Sequence, residues 1–325
     1  MRRALTGPLA RLVAGRVLSG IVMLWVISVA VFFFTQALPG DVASAILGRN
    51  ATPEAVAHLR DQLGLDHSVV HQYLAWLGNL FEGNFGQSLA NHDLTVGSII
   101  GGRAENSLAL VVLTSAIAFP AAFLLGLTAA RNRGGLVDTV ISSSVLVLMA
   151  LPEFVIAVLV VVIFATSVLH VLPAVSTLDP SESPWSQPEL LALPVLALVL
   201  GALPYLTQMV RATMIDVLDT EYVTWARLNG VPERRVVWRH ALRNSAAPAV
   251  QVATIILIYL TGGIVAVETV FSYPGLGLAL VEAVSQRDLP VVQAITMLLA
   301  ATALLLYLLS DVIVVLLTPK LRTRL

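Results

Sequence analysis

LLALPVLALVLGALPYLTQMV (190–210), RATMIDVLDTEYVTWARLNGVPERRVVWRHALRNS (211–245) and AAPAVQVATIILIYLTGGIVAVETVF (246–271) follow one another without interruption. The outer two are apolar for long enough to cross a bilayer, whose hydrocarbon core takes about 20 residues of helix. The middle one is polar, carries Arg211, Arg227, Arg234, Arg235, Arg239 and Arg243, and has an order of its own. Thr220 stands where a helix cap belongs, and Glu221 follows at the positively polarised end of a helix. Gly230 is suited to the left-handed conformation that ends a helix, and Pro232 and Glu233 suit the start of the next. The predicted order is therefore helix, glycine bend, helix, between two membrane spans. Topology-setting arginines that touch lipid headgroups explain the charge but leave that order unexplained. An elbow with Tyr222 and Trp225 fits a groove on a cytoplasmic partner.

Apolar runs of the same kind occur along the rest of the chain. Spans are predicted at 17–38, 107–130, 140–169, 190–210, 246–271 and 291–317. The third contains Pro152 and Glu153, and a proline inside a helix removes a hydrogen bond, so one kinked span is expected there. Of 325 residues, 57% are hydrophobic and 12% charged. Mean hydropathy is +0.86. A soluble domain carries about a quarter charged residues. The fold class is thus all-α integral membrane with six spans. Cysteine is absent, which excludes disulfides and thiolate metal sites.

Orientation follows from the basic residues. With six spans, one side holds Arg2, Arg3, Arg11, Arg16, Arg131, Arg133, Arg211, Arg227, Arg234, Arg235, Arg239, Arg243, Lys320, Arg322 and Arg324. The other holds Arg49, Arg60, Arg103 and Arg287, fifteen against four. Positive charge stays inside, so both termini are expected in the cytoplasm and the protein in a bacterial cytoplasmic membrane. The first run is too long for a signal-peptide core and reads as an uncleaved span. The expected organisation is a cytoplasmic N-terminus (1–16), the first span (17–38), an extracytoplasmic helical segment (39–105), a five-helix core (106–318) with its loop at 211–245, and a cytoplasmic C-terminus (319–325). In the outer segment, Thr52-Pro53-Glu54 opens a helix carrying Val56, Leu59 and Leu63, with Gly64 at its end. A second stripe, Val70, Tyr73, Leu74, Leu77, Leu80 and Phe81, ends at Gly83. Such helices form a platform for something outside.

These segments carry a resemblance. Thr224-Trp225-Ala226, Gly230 and His240-Ala241-Leu242-Arg243 occupy the places of the coupling-loop motif of bacterial ABC importer permeases. Only Ala226, Gly230 and Leu242 match the general consensus, but Ala226-Arg227-Leu228-Asn229-Gly230 and Arg239-His240-Ala241-Leu242-Arg243-Asn244 resemble its peptide-importer branch. Leu38-Pro39-Gly40-Asp41, Gly83-Asn84-Phe85-Gly86-Gln87-Ser88 and the run Val267-Glu268-Thr269-Val270-Phe271-Ser272-Tyr273-Pro274-Gly275-Leu276-Gly277 are similar to that branch too. The chain is identified as resembling the B-type permease subunit of oligopeptide and dipeptide importers, with a type I ABC importer fold. The resemblance implies a second, C-type permease, two ATPase domains on separate or fused chains, an extracytoplasmic peptide-binding protein, and a peptide substrate. ATP and magnesium would be bound by the ATPase partners. No cofactor, metal or nucleic acid is expected on this chain. It holds no phosphate-binding loop ending in Gly-Lys-Ser/Thr, so the elbow is the expected lever: Glu221, Tyr222, Trp225, Ala226, Arg227, Gly230, Arg234, Arg235, Arg239 and His240. Permeases of this branch also serve nickel, glutathione or other small solutes.

Ionisable groups inside spans are costly and mark functional positions. Glu153 and Glu268 are candidates for the translocation path or its gate, where a carboxylate would meet a peptide ammonium. The plainer account is that each pairs with a neighbour. For Asp311 the cytoplasmic cations below it favour the plainer account. His67 and His71 have a metal-compatible spacing but no third ligand nearby. An intramembrane hydrolase would need a buried nucleophile–base pair or a His-Glu-x-x-His helix, and neither is present. A proton-coupled secondary transporter would account for intramembrane acids, yet related halves are not evident.

Overall fold

The computed structural model describes residues 8–36, 51–62, 67–91, 93–178, 183–232 and 246–317, together with residues 44, 47 and 235. Among the described residues, five helices are long and apolar enough to cross a membrane: α1 (Pro8–Gln36), α4 (Val96–Arg131), α7 (Pro188–Leu218), α9 (Ala246–Phe271) and α11 (Leu289–Leu317). Shorter helices between them are α2 (Pro53–Gln62), α3 (Val69–Phe81), α5 (Leu136–Met149), α6 (Glu153–Val161), α8 (Glu221–Leu228) and α10 (Leu276–Gln286).

Two helices run past the apolar stretches that mark them. The second span is one helix that begins at Val96, continuous with residues 96–105 of the expected outer segment. The fourth extends to Leu218, well into what reads as loop. Hydropathy reports where lipid begins, but a helix does not stop there when its next turn still has packing partners. The third span is more than kinked. Helices α5 and α6 meet at a 99° bend, and the pair qualifies as a span only if counted together. Pro152 has no N–H to continue the ladder, and Ala150 and Leu151 close α5 with bonds to Leu146 and Leu148 carbonyls. Glu153 then opens α6 with its charge in the first turn. Helix α6 ends in a π-helical turn, Val162–Thr166.

The chain divides into two compact units. The larger comprises Met1–Leu18, Leu108–Tyr273 and Ala303–Leu325. Its core joins Leu110 and Ala118 of α4, Ala157 of α6, Leu198 and Ala202 of α7, and Leu260 and Phe271 of α9. Helix α7 is the most enclosed span, with 67% of its most apolar window buried, against 11% for α1 and for α11. Small residues make this possible: Ala197 and Ala202 are fully buried, and Gly126 of α4 lies so close to α7 that a Cβ there would stand 2.8 Å from the Thr207 carbonyl oxygen, which is how helices associate in a solvent as apolar as they are.

The smaller unit comprises Ser19–Ser107 and Pro274–Thr302. Phe32 of α1 meets Tyr73 and Trp76 of α3 with ring centroids 5.4 and 5.6 Å apart. The Tyr73 and Ser28 hydroxyls are 2.9 Å apart within that contact. Helix α3 is capped by the Ser68 side chain and ends before Gly83, whose φ of +74° a glycine adopts at no steric cost. Asp288, between α10 and α11, accepts hydrogen bonds from the Ser88 hydroxyl and the Leu89 N–H, which fixes the 83–96 loop in this unit. Residues Leu38 to Asp41 and Leu63 to Asp66 lie outside the described residues.

Candidate functional site

Helix α8 is the first arm of the elbow. Thr220 occupies the cap position, but its side chain does not bond the helix; the hydroxyl turns back to the Val217 carbonyl at 2.5 Å. That carbonyl belongs to the last turn of α7, where four acceptors lack helical partners. One threonine therefore closes α7 as α8 begins. At the far end, the Val231 N–H reaches the Ala226 carbonyl at 3.1 Å and the Gly230 N–H the Arg227 carbonyl at 2.9 Å. With Gly230 at φ +74°, this is a Schellman termination. Val231 and Ala226 also pack on the same cluster, the apolar contact that usually accompanies such an ending.

Helix α8 has two faces. Val223 is fully buried against Leu127 and Ala130 of α4 and Met214 and Leu218 of α7. Tyr222, Trp225 and Leu228 recur every three residues on the other side, and Trp225 and Leu228 are 66% and 76% exposed. Glu221, Arg227 and Arg235 are exposed as well. Arg227 also reaches the Leu218 carbonyl. Three large apolar side chains thus face outward on a helix that Val223 seats firmly. Arg234, Arg239 and His240 lie outside the described residues.

Ion pairs tie the base of this elbow to the span bundle. Arg211, on α7, grips Asp138 of α5 with Nε at 2.6 Å and Nη2 at 2.8 Å from the two carboxylate oxygens. Asp138 is only 5% exposed, and it also accepts from the Gly134 N–H and the Ser142 hydroxyl. Arg133 adds an exposed bridge to Asp219 at 2.8 Å. Neither pair is singled out by the sequence reading. Its signal was a lone acid near the start of an apolar run and a lone base at the end of another.

Glu153 sits at the α5–α6 break. Its Oε2 accepts from the Tyr259 hydroxyl of α9 at 3.3 Å, and Oε1 is enclosed without a hydrogen bond. The carboxylate lies on backbone: a Cβ at Gly263 would overlap Oε2, and one at Gly201 would touch the carboxylate at 3.6 Å. Glu268, the other path candidate, is fully buried near the end of α9. Asp311 pairs with Arg16 at 2.9 Å. The His67 and His71 rings are 4.9 Å apart, and no group of three metal-ligating side chains occurs among the described residues.

Sequence comparisons meet this geometry along nearly the whole chain. Residues 122–323 match the family described as binding-protein-dependent transport system inner membrane component, and residues 9–98 match its N-terminal counterpart. A Brucella abortus (strain 2308) protein provisionally named a peptide transport system permease is 34% identical over 311 residues, covering 96% of this chain and 98% of that one. The oligopeptide transport system permease protein AppB of Bacillus subtilis (strain 168) is 28% identical over 314 residues, with 96% and 99% coverage. Among solved structures, the inward-facing MetNI methionine ABC transporter superposes with a TM-score of 0.53 at 19% identity, covering 66% of this chain and 93% of that one. That likeness concerns the fold.

Proposed function

That this chain belongs to the binding-protein-dependent transport system inner membrane components is the premise from which we propose that it is the permease subunit of an ATP-driven importer of short peptides. The observation that carries the reading is the elbow: a short helix seated by Val223, ended by Gly230, and presenting Tyr222, Trp225 and Leu228 outward. The chain lacks a phosphate-binding loop, so force must arrive from another protein, and this surface suits its arrival. The names of the Brucella and Bacillus relatives support the peptide as cargo.

The complete machine holds a second permease of C type, two ATPase domains that bind ATP and magnesium, and an extracytoplasmic peptide-binding protein. The α5–α6 pair counts as one broken crossing, giving six spans with both termini and α8 on the cytoplasmic side, in keeping with fifteen basic residues against four. ATPase closure draws the elbow inward, and Arg211–Asp138 carries the movement from α7 to the broken span. Each bound partner shifts the inward–outward balance only through its unequal affinity for the two states.

The test is uptake of a labelled tripeptide by cells carrying the gene intact, deleted or with Gly230→Asp. No atom of the described residues lies within 4 Å of a Cβ at Gly230, so the cost among them is the left-handed φ alone, about 1 kcal/mol. Assembly in the membrane is expected to survive, and uptake to fall to the deletion level while ATP hydrolysis continues. Normal uptake by the mutant removes the elbow as lever. Peptide uptake that is equal with and without the gene, alongside loss of nickel or glutathione uptake, replaces the peptide as cargo.

A further inference from the structure

The larger unit holds a second polar constellation that the elbow does not use. Glu153 opens α6 beside the break, and its carboxylate rests on the backbones of two other spans, at Gly201 of α7 and Gly263 of α9. Each of those glycines has a tyrosine four residues away on its own helix, Tyr205 and Tyr259, hence one turn along the same face. The two rings meet, with centroids 6.0 Å apart and planes inclined at 42°. Both are half exposed, at 46% and 38%. One carboxylate oxygen receives the Tyr259 hydroxyl, while the other accepts nothing.

This is an unusual surface for a span to carry. A hydrocarbon-facing position gains nothing from a carboxylate, and a carboxylate oxygen without a donor is costly in a medium free of water. Packing does not require the group either. Gly263 exists at the expense of helix propensity, and any side chain there would expel the carboxylate from its seat. Two tyrosine faces and a half-satisfied carboxylate share one ligand chemistry: a compact organic cation with several N–H donors, attracted by ring quadrupoles and carboxylate together. Resting on the reading of the chain as a peptide permease, we propose that Glu153, Tyr205 and Tyr259 form a transit subsite for the α-ammonium group of the peptide. The free N-terminus, and not a side chain, is the feature every unmodified cargo shares, so a site for it passes peptides irrespective of sequence. Occupancy is brief by design, because one carboxylate and two rings hold an ammonium weakly enough to release it.

The experiment uses the whole importer in proteoliposomes and two probes, trialanine and N-acetyl-trialanine, with wild type, Glu153→Gln and Tyr205→Leu. Glutamine keeps the shape and the Tyr259 contact but lacks the charge. The binding protein is the same in all three, so a change in the ratio of the two rates arises in the permease. Glu153→Gln is expected to lower the wild-type preference for the free amine about tenfold or more, the scale of one charge-assisted hydrogen bond. Tyr205→Leu, on an exposed ring whose loss leaves the core intact, is expected to lower the ratio part of the way. If both variants keep the wild-type ratio, or Glu153→Gln slows both probes equally, the subsite is overturned and the peptide permease stands. If wild type moves neither probe, the peptide reading falls and the subsite with it.

Discussion

Replacing Arg211 by methionine removes the guanidinium that grips Asp138 and keeps most of the aliphatic volume. Two hydrogen bonds, at 2.6 and 2.8 Å, vanish together. The Asp138 carboxylate, 5% exposed, is left with the Gly134 N–H and the Ser142 hydroxyl. Breaking a fully buried ion pair from one side costs about 3–5 kcal/mol. Here the Arg211 side chain is 25% exposed, so water enters the gap and about 2–3 kcal/mol is the appropriate scale. For a chain of this length that corresponds to a drop of roughly 3–5 °C in the melting temperature of the purified importer. The double variant Asp138→Asn with Arg211→Met leaves no uncompensated charge. It is expected to recover about 1–3 kcal/mol relative to the sum of the single changes, the usual coupling between groups in contact. A thermal melt of the four proteins in one detergent measures this. Unchanged melting of Arg211→Met, or simple additivity in the double variant, refutes the pair as the link between α5 and α7. Reversed charges, Asp138→Arg with Arg211→Asp, should restore peptide uptake only partly, because the Gly134 N–H then faces a cation.

The two faces of α8 predict opposite outcomes. Val223→Ala opens a void under the helix and is expected to lower stability by about 1–3 kcal/mol, read as a melting shift. Trp225→Ala should leave melting unchanged yet abolish co-purification of the ATPase, and an intact complex would rule out Trp225 as an anchor. In the smaller unit, Asp288→Ala strips the Ser88 hydroxyl and the Leu89 N–H of their acceptor. Faster amide exchange across residues 84–91, with the spans unaffected, is the expected result, and unchanged exchange there would place the loop's support elsewhere.

How much of this is legible in the sequence depends on how local the cause is. The spans are read because each apolar run carries its own signal, and Gly230 is read because a helix ending of that kind needs a left-handed residue at that position. The break at Pro152 is read for the same reason, but its 99° angle is not, since direction is set by the helices that α6 packs against. Thr220 stands in the expected place with a different partner, because the last turn of α7 offers its hydroxyl the Val217 carbonyl at 2.5 Å. Asp138 with Arg211, and Glu153 with Tyr259, join residues far apart in the chain. No periodicity announces such pairs. What the sequence does offer is the cost of each acid in its setting, which says that a partner exists without saying which.

The enclosure of α7 bears on how such a chain can change over generations. A span that its own chain leaves open, as it leaves most of α1, is asked only to remain greasy wherever lipid covers it, and any aliphatic residue answers as well as another. A span surrounded by its own protein is asked for shape, and at Ala197 and Ala202, both fully buried, anything larger has to overpack the core. Lineages of this protein should therefore drift apart fastest along α1 and keep α7 as the slowest-changing part of the membrane domain.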